Sequence, residues 1–203
     1  MSLLESSDEA VLGEMRKLRE LYKLKTTLRY QTVRDGAVHS ESVAEHLFGM
    51  QVLAEYFLPL EDPEGKLNRL RIYQLMLYHE IGEIETGDIV FDRKNEELRA
   101  VERQAAARVA DRLPTSLGKV ALACFREFEE CVTPESVFAD AIDKIEPIFE
   151  LYDDINLRSF KRLNIRQDVA TASKLEATKT FPYMRRCIDA WLSYAISREA
   201  FPA

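Results

Sequence analysis

The chain has 203 residues, enough for one domain with its own core, and 46% hydrophobic against 31% charged residues is the balance of a globular protein. Its formal charge of −7, with no basic run or basic helix face, argues against a nucleic-acid polymer as partner but leaves room for a small anion held by a metal ion and one or two arginines. Seven Gly and seven Pro are too few for a loop-rich all-β fold; three cysteines without CxxC spacing (Cys124, Cys131, Cys187) read as reduced thiols of a cytoplasmic protein, with no signal peptide or membrane-spanning run expected.

In chain order, Ser6-Ser7-Asp8-Glu9 predicts a helix start, after which Val11, Leu12, Met15, Leu18 and Leu21 recur at three- and four-residue spacing. Residues 25–40 lose that period and read as a loop. A second helix is expected from Ser40 or Glu41 through SVAEHLFGMQVLAEYF. Asp62-Pro63-Glu64 reads as the next start, with Pro in the first turn and a helix running to about Ile81. Gly87 and Asp88 turn into a loop up to about Lys94. NEELRAVERQAAARVADRLP is an amphipathic helix stopped by Pro114, and residues 115–130 form another. Thr133-Pro134-Glu135 opens a helix carrying ESVFADAIDKIEPIFELYDDI, with Pro147 as a kink or break. The last strong helix is PYMRRCIDAWLSYAISRE, where Trp191 faces the core or a subunit interface. The sum is an all-α fold of about seven to nine helices around one core.

Chemistry concentrates in LMLYHEIGEIETGD, residues 75–88, which puts His79, Glu80, Glu83, Glu85 and Asp88 at the end of an apolar helix. On a helix, Glu83 lies four residues after His79 and three after Glu80, so it shares their face, whereas Glu85 points elsewhere and reads as solvated. His46 lies among Val43, Leu47 and Met50 on the second helix. Asp143, flanked by Ile142, Ile145 and Ile148, should border a buried face, where a carboxylate is costly unless paired or metal-bound; Asp140, one turn earlier, competes for that role. Two histidines and two carboxylates suit Mn²⁺, Fe²⁺, Co²⁺, Ni²⁺ or Zn²⁺. Spacing alone leaves a metal site and an ordinary structural cluster equally open.

Three ordered motifs carry a resemblance: ESVAEH, HEIGEIETGD and FREFEECVTPESVFADAIDKIE. Together they resemble the HD-domain metal-dependent phosphohydrolases, and within them the 5′-deoxynucleotidase branch of the YfbR and HD-domain-containing protein 2 type. The resemblance covers about residues 15–155 of a single domain spanning 1–203, with a C-terminal helical extension over about 156–203. It implies His46, His79, Glu80 and Asp143 as ligands of one divalent ion (Mn, Co, Fe, Ni, Zn or Mg). It implies Glu83 beside the attacking water, Asp88 as an aid to proton transfer, and Arg29 on the phosphate. Two positions depart from the pattern: the His-Asp dyad is His79-Glu80 here, and Tyr30 stands near the position of a Trp that tests the sugar's 2′ position. The implied activity is removal of phosphate from nucleoside 5′-monophosphates, deoxyribonucleotides foremost, by a cytoplasmic homodimer with no nucleic-acid polymer and no membrane as partner. The alternatives are another phosphate ester or nucleotide as substrate, or a nucleotide-binding module without turnover; the sequence offers no obvious extra basic residues for a long polyphosphate. His39 has no counterpart role and reads as a surface loop histidine.

Overall fold

The structure, a computed structural model, describes residues 6–29, 40–89 and 94–202. Among the described residues the fold is helical: α1 (Asp8–Leu18), α2 (Val43–Glu61), α3 (Arg69–Tyr78), the four-residue α4 (Glu83–Thr86), α5 (Glu96–Arg112), α6 (Thr115–Glu130), α7 (Pro134–Glu150), α8 (Asp154–Leu163), α9 (Gln167–Ala177) and α10 (Pro182–Ser197). A 3-10 turn at Leu21–Lys25 and an isolated bridge between Leu28 and Ser42 join the first two helices.

Local chemistry sets the starts. The Ser7 side chain accepts from the Ala10 amide, Asn68 from Arg71, and Asn95 from Leu98, each satisfying a helix donor that would otherwise lack a partner. Ser42 and Glu45 form a reciprocal capping box that opens α2 just before His46, and Thr133 caps α7 with Pro134 in its first turn.

Several boundaries differ from the sequence reading. Asp62-Pro63-Glu64 does not start a helix: Asp62 ends α2, and its carboxylate accepts from the amides of Lys66 and Leu67. α3 stops at Tyr78, so His79 and Glu80 stand in the connection to α4 rather than on a continuing helix. Pro147 does not break α7, which continues to Glu150. α8 and α9 are two helices that the sequence reading does not include, separated at Asn164, whose left-handed backbone ends α8.

α7 is the centre of the fold, packing against α2, α3, α6, α9 and α10. Phe57, Phe125, Phe138, Met50, Ile72, Leu75, Ile142, Ile145 and Ile188 are fully buried around it; each such side chain contributes about 1.5–3 kcal/mol. Trp191 packs on Phe160 and Phe201 and is 4% exposed, so it belongs to this core and is not available to a subunit interface. α1 buries no residue, and its Leu12, Met15 and Leu18 remain exposed.

Candidate metal centre and its cavity

The central position of α7 buries Asp143, and the neighbouring helices bring the histidines to it. His46, one turn into α2, is fully buried, and its Nε2 lies 3.0 Å from Asp143 Oδ1. His79 caps α3 and packs tilted against the Phe128 ring of α6, with centroids 4.4 Å apart. Its Nδ1 lies 2.8 Å from the Met76 carbonyl, which can only accept, so Nδ1 carries a proton and Nε2 faces inward as the nitrogen that a cation could take in exchange for its second proton. Nε2 is buried with no hydrogen-bond partner among the described residues, yet Glu80 Oε1 and Asp143 Oδ1 stand 3.3 and 3.6 Å away.

One atom each from His46, His79, Glu80 and Asp143 falls within 4.8 Å of the others, a spread that suits one cation. An orphaned imidazole nitrogen aimed at two carboxylates fits a divalent ion. The electrostatics agree. Burial works against charge on His79, but Glu80 and Asp143 lift its imidazole to about 10. Burial also opposes charge on Glu80, yet His79 holds it well below the usual carboxylate range. The cluster favours positive charge at its centre. Asp140, the competitor, lies outside and pairs with Lys144 at 3.2 Å.

A second set of residues orients the first. Glu146 Oε2 lies 2.8 Å from His46 Nδ1 and is 3% exposed. Arg29 Nη1 crowds the same nitrogen, but a guanidinium can only donate and a carboxylate only accept, so Nδ1 serves one of them. A proton on Nδ1 shared with Glu146 would leave Nε2 able to ligate a cation beside Asp143, the usual carboxylate–histidine arrangement of metal sites. Arg29 then donates to Glu41 at 2.7 Å and to Glu146 at 3.3 Å. Gly49 makes room for this: a Cβ there would stand 2.7 Å from Glu146 Oε1.

Glu83, at the start of α4, is 2% exposed, and burial together with Glu80 and Asp88 raises its carboxyl well above the usual range. Gly82 lets this turn press onto α5, since a Cβ would meet the Glu102 carbonyl at 2.8 Å. Glu85 stays outside the cluster and partly exposed, and it pairs with Arg108 at 2.7 Å and Arg112 at 2.5 Å, tying α4 to α5.

A cavity of about 290 Å³ opens over His79, Glu80 and Asp143. Asp88, Arg29, Lys94, Arg99, Lys144 and Lys174 border it, with Phe160, Leu163 and Ile165 supplying apolar wall. The expectation of few basic residues near the motifs is therefore corrected: Arg99, Lys144 and Lys174 come from α5, α7 and α9, and Arg29 and Lys94 from segments before α2 and α5, gathered only by folding. Sequence reasoning also passed over Glu41, Glu146, Lys94 and Glu102. Glu41 and Glu146 had a signal, as the acids that open ESVAEH and end the Asp-Lys-Ile-Glu motif. Tyr30 and His39 lie outside the described residues.

An HD domain family model matches residues 21–181. The chain is 29% identical over 136 residues to the 5′-deoxynucleotidase HDDC2 of Dictyostelium discoideum, covering 64% of this chain and 72% of that protein. It is 28% identical over 177 residues to the Homo sapiens protein of that name, covering 80% and 84%. A crystal structure of a predicted metal-dependent phosphohydrolase from Magnetospirillum magnetotacticum MS-1 superposes with a TM-score of 0.75 at 25% identity, over 95% of this chain and 98% of that one. With the helical fold and a family match over most of its length, the chain belongs to the HD domain family.

Proposed function

We propose that this protein is a metal-dependent phosphohydrolase that removes phosphate from nucleoside 5′-monophosphates, deoxyribonucleotides foremost, acting as one domain over residues 1–203. The observation that carries the reading is the four-donor cluster of His46, His79, Glu80 and Asp143 beneath a cavity bordered by basic side chains. The 5′-deoxynucleotidase relatives suggest the substrate class.

In this reading those four residues hold one divalent ion, which supplies Lewis-acid stabilisation of phosphoryl charge. Glu83 orients a water in line with phosphorus and takes its proton, a role suited to a carboxyl that burial makes basic. The water oxygen bonds to phosphorus as the bond to the 5′ oxygen breaks. Asp88, directly or through water, delivers a proton to the departing 5′ oxygen, leaving nucleoside and phosphate. Arg29 and Lys174 border the cavity as candidates to balance phosphate charge, and Tyr30 is the candidate for testing the sugar. A cytoplasmic homodimer remains part of the proposal; among the described residues no helix is long and apolar enough to cross a membrane. The gathered basic residues favour one second reading, a nucleoside polyphosphate as substrate.

The test is phosphate release from deoxy- and ribonucleoside 5′-monophosphates and triphosphates by chelated protein reloaded with Mn²⁺, Co²⁺ or Mg²⁺. Metal-dependent turnover of monophosphates that His79→Ala abolishes is the expected result. Turnover of triphosphates alone moves the substrate class, and metal binding without turnover on any nucleotide refutes the enzymatic reading.

A further inference from the structure

Beside the four-donor cluster lies a second group of carboxylates, Glu80, Glu83 and Glu102, whose ligating oxygens also fall within 4.8 Å of one another. Glu80 belongs to both groups. Three acids so close, two of them buried, would repel one another strongly without a cation between them. The protein supplies one: Lys94 Nζ stands 3.2 Å from Glu102 Oε1 and 3.6 Å from Glu83 Oε1, with its side chain 19% exposed. Glu83 Oε1 has no hydrogen bond among the described residues, so it faces this ammonium through charge alone.

We propose that the ammonium of Lys94 is a built-in cation filling the second carboxylate group, Glu80–Glu83–Glu102, and that it limits the centre to a single divalent ion. The inference rests on the metal-centre reading above. Three carboxylates sharing one side with a metal centre, one of them a common member, have the composition of a second hard-cation site. A lysine places only one positive charge there, on a fixed stem, and leaves no room for an ion with its own ligand shell. It also ties the carboxyl of Glu83 to its position without using up its oxygens in a coordination bond, which leaves Glu83 available to a water. Glu80, a member of both groups, links His79 to the carboxylates that face Lys94.

The measurement is metal content per chain, by elemental mass spectrometry after chelation, reloading in excess Mn²⁺ and desalting, with calorimetric titration alongside. Wild type and Lys94→Arg should hold one ion, and Lys94→Met, which keeps the apolar stem, should hold two. Two ions in wild type, or one in a folded Lys94→Met, overturn the proposal while leaving the first site intact. No ion in wild type overturns the metal centre itself, and this inference with it. If Lys94→Met cannot be isolated folded, its thermal melting is followed against Mn²⁺ concentration. Rescue of folding by the ion supports the second site, and a variant that no Mn²⁺ concentration rescues counts against it.

Discussion

Glu146→Gln tests how the metal centre is held. The carboxylate is 3% exposed and lies 2.8 Å from His46 Nδ1, so it fixes the imidazole tautomer that turns Nε2 toward Asp143. Glutamine keeps the size but loses the charge, and its amide can present a donor to a nitrogen that already carries a proton. Loss of such an outer partner typically weakens metal affinity about 10- to 100-fold, or about 1.4–2.8 kcal/mol. The same loss is expected of Gly49→Ala, whose Cβ would press to 2.7 Å from Glu146 Oε1 and move the carboxylate without touching the histidine. Isothermal titration of Mn²⁺ into chelator-stripped protein reads both. Affinities for both variants within about threefold of wild type would refute the assignment of Glu146 as the group that orients His46.

Arg29→Ala should cost about 3–5 kcal/mol of stability, read as a lower urea midpoint, because it strips the buried carboxylates of Glu41 and Glu146 of their shared cation; a loss below about 1 kcal/mol would mean the arginine is not a structural counter-charge. Ser42→Ala should lose about 1 kcal/mol by removing the capping box that starts α2 one turn before His46, checked by the same unfolding curves. Lys174 is buried, and burial together with the nearby Lys144 pushes its ammonium down to about 8 from 10.5. The unfolded chain therefore binds more protons than the native one between about pH 8 and 10.5, and stability from this group rises across that window, by about 3 kcal/mol in all. Lys174→Met should be more stable than wild type at pH 7, with the gap closing by pH 10; a gap that stays constant with pH would refute the shift.

Much of the fold could be read from the residues alone. Ser42 with Glu45, Thr133 with Pro134, and Leu113-Pro114 mark helix ends by short-range hydrogen bonding and proline geometry, which act within a few residues and leave a local trace. Spacing alone leaves the cluster of His46, His79, Glu80 and Asp143 open; the motif resemblance names the four, and folding brings one atom of each within 4.8 Å of the others. Other features depended on which helices meet. Only packing shows that α3 stops before His79, that Glu85 clasps α5, and that Glu146 rather than a ligand's own neighbour sets the tautomer of His46. The same holds for Lys94, Lys144 and Lys174, which lie far apart in the chain yet border one cavity. Local sequence encodes the elements and the chemical types available; the long-range burial of α7 decides which charges share a site, because the cost of an unpaired buried charge is settled only when distant helices close around it.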